Sequence, residues 1–320
     1  MGPGYRALRE AAGYIDLSAR GKIFAAGEDR VRLLHAMTTN HIQQLQPGQG
    51  CYAFFLTAQG RVLADANAFI LPDRILLDVE PELRQTLYQH LDKFIIADDV
   101  TLEDASESLT AIGVEGPRAA EELAAMGAPI PEAPYSHLEW NGCIVARVSA
   151  TGEPGFRIFV PANQASKELA PPFTPVDAES VRVVRLEHFR PRYGEDIFDT
   201  TLPQETQQSH ALNFNKGCYI GQEIVERIRS RGHINRMLVG LRIDSTQAPA
   251  AGTKLTASGA EVGEITSAAF SPALGKVVAL GYVRAQFAAT GSGLEANGAA
   301  AITAPVAGSG EAAPAPTVEC

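Results

Sequence analysis

Eight consecutive residues, Lys216-Gly217-Cys218-Tyr219-Ile220-Gly221-Gln222-Glu223, bring a thiol, an ammonium, an amide and a carboxylate together. Its two glycines, Gly217 and Gly221, let the backbone turn tightly or approach a ligand. An arginine-rich segment follows, with Arg227, Arg229, Arg231 and Arg236 around His233. A thiol flanked by cations is a candidate nucleophile or redox group, because the reactive form is the thiolate. The competing reading is a buried, inert cysteine, a common fate for free Cys.

The element that carries this stretch decides between them. Glu223 and Arg227 are four apart, as are Ile224 and Ile228, which suits a short helix beginning near Gly221 and stopping at Gly232. A period of two also fits, since Val225, Arg227, Arg229 and Arg231 would share one strand face. Gln, Glu and Arg are good helix formers, so we favour the helix. Cys218 then lies just before a helix N-terminus, where unpaired N–H groups favour a thiolate, and Lys216 adds to the effect. The expectation is a thiol whose pKa falls below its reference of about 8.5.

With 320 residues and 45% hydrophobic content, the chain can support two or three domains with real cores. The net charge of −10 argues against a general nucleic-acid-coating role. The arginine segment is a local exception, suited to one anionic ligand. The four cysteines, Cys51, Cys143, Cys218 and Cys320, form no Cys-x-x-Cys pair. Neither a zinc site, a self-contained iron–sulfur site nor a disulfide framework is therefore readable, and no permanently bound metal is expected. There is no signal peptide pattern and no apolar run of ~20 residues. A cytoplasmic, reducing compartment and no membrane contact are the default expectations.

Strand and helix patterns alternate through residues 1–235. Residues 22–25 read as a strand and 28–37 as a helix, with Val31, Leu34 and Met37 at helical spacing. His35 beside that face reads as a packed or surface histidine. Strands over 50–57, 61–71 and 74–79 form a hairpin meander, and Pro81 opens a helix to about Ile96. A strand over 100–103 follows. The pattern then repeats: a strand over 109–114, a helix from Gly116-Pro117 to Met126, and a hairpin over 137–149 turning at Asn141-Gly142. A strand over 156–160 and helices near 162–170 and 178–189 complete it. From about 237, strands over 237–244, 253–257, 261–269 and 276–284 fit a small closed β-barrel. The Ala, Gly and Pro tail from Asn297 reads as disordered, with Cys320 incidental at its tip. The fold class is α+β: two sheet-and-helix modules, 1–105 and 106–235, which can exchange segments, then a barrel over 237–296 and a tail over 297–320.

The eight-residue run resembles the signature of the YgfZ-type folate-binding proteins, relatives of the glycine-cleavage aminomethyltransferase (T-protein). Blocks along residues 14–285 follow the same superfamily in order, including Asp16-Leu17-Ser18, Thr38-Thr39-Asn40, Thr151-Gly152-Glu153-Pro154-Gly155-Phe156, and Arg185-Leu186-Glu187 with Tyr193-Gly194-Glu195-Asp196. The resemblance implies modules arranged around a central pocket for tetrahydrofolate or a derivative. Glu187 matches the acid that hydrogen-bonds the pterin ring, Tyr52 and Tyr193 match aromatic positions of the pocket, and Phe156 would border it. Read without the resemblance, Glu187 would simply pair with Arg185, Arg190 or Arg192, and Tyr52 would be a core strand residue.

Two departures bear on the reaction. Where the aminomethyltransferase has two adjacent acids, this chain has Ala64-Asp65, which leaves open whether Asp65 does the catalytic work and puts glycine cleavage in doubt. Gln222 replaces a basic residue, and Cys218 is added. These changes favour the YgfZ branch, which is implicated in maturing iron–sulfur proteins. The resemblance thus implies first a folate-binding accessory factor for iron–sulfur cluster assembly or repair, meeting client or assembly proteins, with Cys218 as nucleophile, redox group or transient cluster ligand. A folate-dependent aminomethyl or other one-carbon transferase using Asp65 comes second. A tRNA-modification partner holding phosphate on the arginine segment comes third.

Overall fold

The structure, a computed structural model, describes residues 2–164, 173–232 and 234–309. Five antiparallel strands form the first sheet, in the order Gly50–Leu56, Val62–Ile70, Arg74–Val79, Gly21–Ala26, Thr101–Asp104. Alternation along Val62–Ile70 sends Ala64, Ala66, Ala68 and Ile70 into a core shared with helices Arg30–Met37 and Arg84–Asp92. The other face carries Asp65, Asn67 and Phe69.

The second sheet has six strands, ordered Thr174–Pro175, Gly13–Asp16, Leu109–Glu115, Gly155–Pro161, Cys143–Ala146, His137–Trp140. Its outer face packs on helix Ala119–Ala125 through Val114, Leu123, Phe156 and Ile158. Asn141 and Gly142 both adopt positive φ, at 49° and 81°, as the two-residue hairpin turn requires. The facing surfaces of the two sheets meet through Phe69 and Leu76 on one side and Ala111, Ala146 and Phe159 on the other. Helix Ala178–Glu187 follows, with Asp177 as its N-cap accepting from the Ser180 N–H.

The chain then returns to the first module. Ile197, Ala211 and Val225 pack on Phe54, Leu56 and Val62. Helix Gln222–Arg231 docks against the turn at Thr57–Arg61, and both contact points are glycines. A Cβ on Gly60 would lie 2.7 Å from Ile224, and one on Gly221 would lie 2.6 Å from the Thr57 carbonyl oxygen. Helix boundaries at Gly221 and Gly232 match the spacing argument, and the strand alternative for this segment is excluded.

A closed six-stranded barrel ends the chain, running Arg236–Ile243, Lys276–Arg284, Ala260–Ser271, Lys254–Ala257, Gly293–Ala296, Ala299–Ala304. The mixed sheet-plus-helix modules with a C-terminal barrel agree with the fold class read from the sequence. The disorder expected from Asn297 is not found over residues 297–309. Ala299–Ala304 is the strand that closes the barrel against Gly240–Ile243, with Ala301, Ala304 and Val306 buried. Small side chains suit this position because the interior is already filled by Leu241, Val277 and Leu294. Residues 310–320, including Cys320, lie outside the described residues, as do His233 and most of the helix expected near 162–170. The sequence pattern also missed helix Pro3–Glu10, whose Tyr5 and Leu8 pack beside the barrel. No helix among the described residues is long and apolar enough to cross a membrane.

Candidate active site

Where the two sheets diverge from their apolar contact, they enclose a cavity of about 600 Å³. Its first wall is the inner face of the five-stranded sheet. Tyr52 stands opposite Asn67, and Asn67 opposite Asp78, in adjacent strands. Asp65 is two residues from Asn67 and shares its face. The Tyr52 hydroxyl donates to Asp65 Oδ2 at 2.6 Å. Burial pushes the Asp65 carboxyl up to about 6, against the pull of that hydrogen bond. Burial, then the neighbouring Asp65, also raises the Tyr52 phenol well above its ordinary value.

Aromatic rings extend this wall. His210 stacks on Tyr52 with centroids 5.3 Å apart and on Tyr135 at 6.3 Å. Burial, reinforced by Arg190, depresses the His210 imidazole to about 4, so the ring is neutral near pH 7.

The second wall comes from the six-stranded sheet. Arg157 shares a strand face with Phe159 and projects towards the first sheet. There it meets the fully buried Asp78, whose Oδ1 also accepts from Arg20 Nε at 2.7 Å and whose Oδ2 accepts from Asn67 Nδ2 at 2.9 Å. Burial would raise the Asp78 carboxyl, but Arg157 and Arg20 outweigh it and hold it below its ordinary value. Arg20 also pairs with Glu80, which Arg192 reaches at 2.9 Å.

The third wall is one face of helix Ala178–Glu187. Ala178, Val181, Arg182 and Arg185 line the cavity at helical spacing, and Arg190, Arg192 and Glu195 continue beyond it. Arg185 spans Glu195 at 2.7 Å and Asp196 at 2.8 Å.

Comparison with known proteins places this architecture. Residues 3–216 match the GCVT N-terminal domain, and residues 236–307 match the glycine cleavage T-protein C-terminal barrel domain. The chain belongs to the glycine cleavage T-protein family. An aminomethyltransferase of Thermosynechococcus vestitus is 30% identical over 297 residues, covering 90% of this chain and 81% of the relative. One from Chloroherpeton thalassium is 29% identical over 300 residues, covering 88% and 82%. The crystal structure of glycine cleavage system aminomethyltransferase T from Bartonella henselae superposes with a TM-score of 0.85 at 24% identity, covering 96% of this chain and 89% of that one. That likeness is one of fold.

Within this T-protein fold, the residues singled out from sequence separate into groups. Tyr52 and Asp65 meet at the cavity. Glu187 does not line it. It lies two residues beyond Arg185, about 200° around the helix, and so faces away. Its Oε1 accepts from Tyr5 and Ser271, each at 2.6 Å, beside the barrel. Phe156 neighbours Arg157 in a strand and therefore points into the opposite, apolar layer. Tyr193 is not among the lining residues either: it packs against the cluster of Phe54, Leu56 and Val62, its hydroxyl donating to the Leu63 carbonyl at 3.1 Å.

Residues 216–223 also lie off the cavity wall. The Lys216 ammonium is turned inward onto the carbonyls of His35 and Thr38, at the C-terminal end of helix Arg30–Met37, and over the Tyr219 ring at 4.6 Å. Burial lowers it to about 8. It anchors the signature to the first module and is committed to those carbonyls, contrary to the expected support for a Cys218 thiolate. Gln222 Oε1 accepts from the Tyr219 N–H at 3.2 Å, and Glu223 pairs with Arg227 on the exposed helix face at 2.6 Å. Arg229 pairs with Glu226 at 3.5 Å and lies over Phe214 at 4.5 Å, so both of these arginines have local partners. Cys218 itself is exposed, whereas Cys51 and Cys143 are buried. Burial pushes the Cys51 thiol up to about 12. Alkylation of the folded protein at pH 7.5 should therefore label Cys218 first, with Cys51 and Cys143 reacting only on unfolding. Peptide mass spectrometry at successive times checks this, and early labelling of Cys51 would contradict the packing.

Sequence reasoning missed Arg20, Asp78, Arg157, Arg190 and His210. For Asp78 and Arg157 a signal existed: each is a lone charge inside an otherwise apolar strand, Ile75-Leu76-Leu77-Asp78-Val79 and Gly155-Phe156-Arg157-Ile158-Phe159. Such residues are rarely buried unless paired. Among the described residues, no group of three or more His, Cys, Asp or Glu could hold a metal ion.

Proposed function

We propose that this chain binds a reduced folate in the central cavity and acts as a folate-dependent one-carbon transferase, with Asp65 handling the proton at the reacting end. Asp65 is the observation that carries the reading. It is a buried carboxylate on the cavity wall, fixed by Tyr52, with its pKa brought close to neutrality. The loss of an acid at position 64 does not weaken it. Ala64 points into the apolar core, so the cavity face keeps its carboxylate.

The lining suits such a ligand. A reduced folate has a flat ring edged with N–H groups and an anionic tail. The cavity offers aromatic surface at Tyr52 and His210, carboxylate acceptors, and several guanidinium groups. When bound, the folate would supply the nitrogen that receives the one-carbon unit. Tyr52 orients Asp65, the sheet contact around Phe69 and Phe159 excludes water from one side, and Asp65 takes up or returns the proton. Calorimetry with tetrahydrofolate, followed by turnover with an aminomethyl-lipoyl carrier protein, tests the proposal. Absence of folate binding would remove it, and binding without methylene-tetrahydrofolate formation would exclude that donor.

A second reading is favoured by one observation, the exposed Cys218 thiol at the head of the docked helix. It is the folate-binding accessory role in iron–sulfur maturation, in the manner of the YgfZ-type proteins. A deletion strain complemented by wild type but not by Cys218→Ala, scored on iron–sulfur enzyme activities, would support it. Full complementation by Cys218→Ala would remove the thiol from the mechanism. The ion-paired arginines of helix Gln222–Arg231 add nothing in favour of a tRNA partner.

A further inference from the structure

Among the described residues, six arginines line the central cavity. Five are matched by carboxylates within the wall: Arg20 by Asp78 and Glu80, Arg157 by Asp78, Arg182 and Arg185 by Glu195, and Arg192 by Glu80 and Glu82. Arg190 is the exception. It takes part in no ion pair among the described residues, and its neighbours are the Tyr135 and Tyr52 phenols and the neutral His210 ring. It is only half-buried, so its guanidinium keeps part of its hydration while facing the cavity. Its backbone is fixed, because Arg190 N–H donates to the Arg185 carbonyl and the Arg190 carbonyl accepts from Arg185 Nη1 at 2.7 Å. A positioned guanidinium with no internal counter-charge is a carboxylate receptor in waiting, since its planar fork matches the two oxygens of a carboxylate.

We propose that Arg190 receives the carboxylate of the ligand bound in the cavity, which for a reduced folate is the glutamate tail. The inference rests on the folate reading for the identity of that ligand, but the unmatched guanidinium is independent of it. The same carboxylate chemistry could come from a separate small carboxylic acid, and the experiment separates the two sources.

Three probes are titrated calorimetrically into wild type, Arg190→Met and Arg190→Lys at neutral pH: tetrahydrofolate, 6-methyltetrahydropterin, which keeps the ring without the tail, and benzoate. The proposal expects Arg190→Met to bind tetrahydrofolate at least about tenfold more weakly, with 6-methyltetrahydropterin unchanged and Arg190→Lys intermediate. An unchanged affinity for tetrahydrofolate, or an equal loss for both pterins, overturns it. If wild type binds neither pterin, the folate reading fails on its own. Arg190 is then decided by benzoate: binding that disappears in Arg190→Met identifies a separate carboxylic acid as the ligand class, and binding equal in the two proteins, or absent from both, overturns the receptor role.

Discussion

Asp78→Ala should destabilise the protein by about 3–5 kcal/mol, a large part of the stability of a typical domain. The substitution removes a small side chain, yet it leaves two guanidinium groups without their shared counter-charge. Arg157 is almost wholly buried, its Nε has no hydrogen-bond partner among the described residues, and Asp78 is its carboxylate contact. Arg20 would keep Glu80 and suffer less. Asn67 would lose the acceptor that now orients its amide. Asp78→Asn preserves the shape and one acceptor, so it should cost less than alanine while still leaving the cations unneutralised. Linkage gives an independent sign. A carboxyl held below its ordinary value adds stability that is complete above the unfolded pKa of about 3.9. That stability is lost as pH falls through the lower folded value. Urea unfolding at pH 7.5, with midpoints compared at unchanged slope, measures the effect. A shift in Asp78→Ala worth less than about 1 kcal/mol would mean that the cluster is hydrated and not a buried network.

Asp65→Asn should separate activity from stability. The Asp65 pKa is raised from 3.8 to about 6, so the folded state resists its ionisation. Below 3.8 the group is protonated in both states and costs nothing. Between 3.8 and about 6 the unfolded chain releases its proton first, and stability declines as pH rises. Above that window the folded protein carries the whole penalty, roughly 2–3 kcal/mol at 1.36 kcal/mol per pKa unit. Asparagine cannot ionise. The variant should therefore be more stable than wild type at pH 7.5, by up to about that amount, and the advantage should vanish near pH 3.5. Turnover should drop by about 10²–10⁴, and the limb of the kcat/KM profile near pH 6 should disappear. A variant that is less stable at pH 7.5 and equally active would show that Asp65 is a packing residue.

The contrast between these two acids explains what the sequence made legible. Strand and helix positions were readable because the alternation in Val62–Ile70 and the spacing in Gln222–Arg231 are local. A central pocket followed only from the resemblance, and most of its lining was not legible, because its walls come from strands and segments far apart in the chain. Asp65 was found through a motif and Asp78 was overlooked, although they line the same cavity. Glu187 is the converse case, singled out from sequence yet absent from the cavity lining. Its motif is strong, but Arg185 and not Glu187 shares the helical face of Val181 and Arg182. Lys216 was read as an activator of its neighbour because sequence shows proximity along the chain and not the direction of a side chain. The closing strand Ala299–Ala304 was hidden by composition, since alanine in a filled barrel serves where larger residues would not fit.

The path of the first sixteen residues has a consequence for how the protein is made. Gly13–Asp16 sits inside the six-stranded sheet, between Leu109–Glu115 and Thr174–Pro175, although everything from Gly21 to Asp104 builds the other sheet. On the ribosome this strand emerges before its partner Leu109–Glu115 and waits for it, for on the order of ten seconds at 5–20 residues per second. The first module can close while the N-terminal segment remains unpaired. For that interval the nascent chain carries a free strand, and Leu109–Glu115, once it emerges, presents the matching vacant edge. Two nascent chains held side by side can exchange these strands in competition with each chain's own pairing, so the opportunity for intertwined dimers lies in the interval before Gly13–Asp16 is captured.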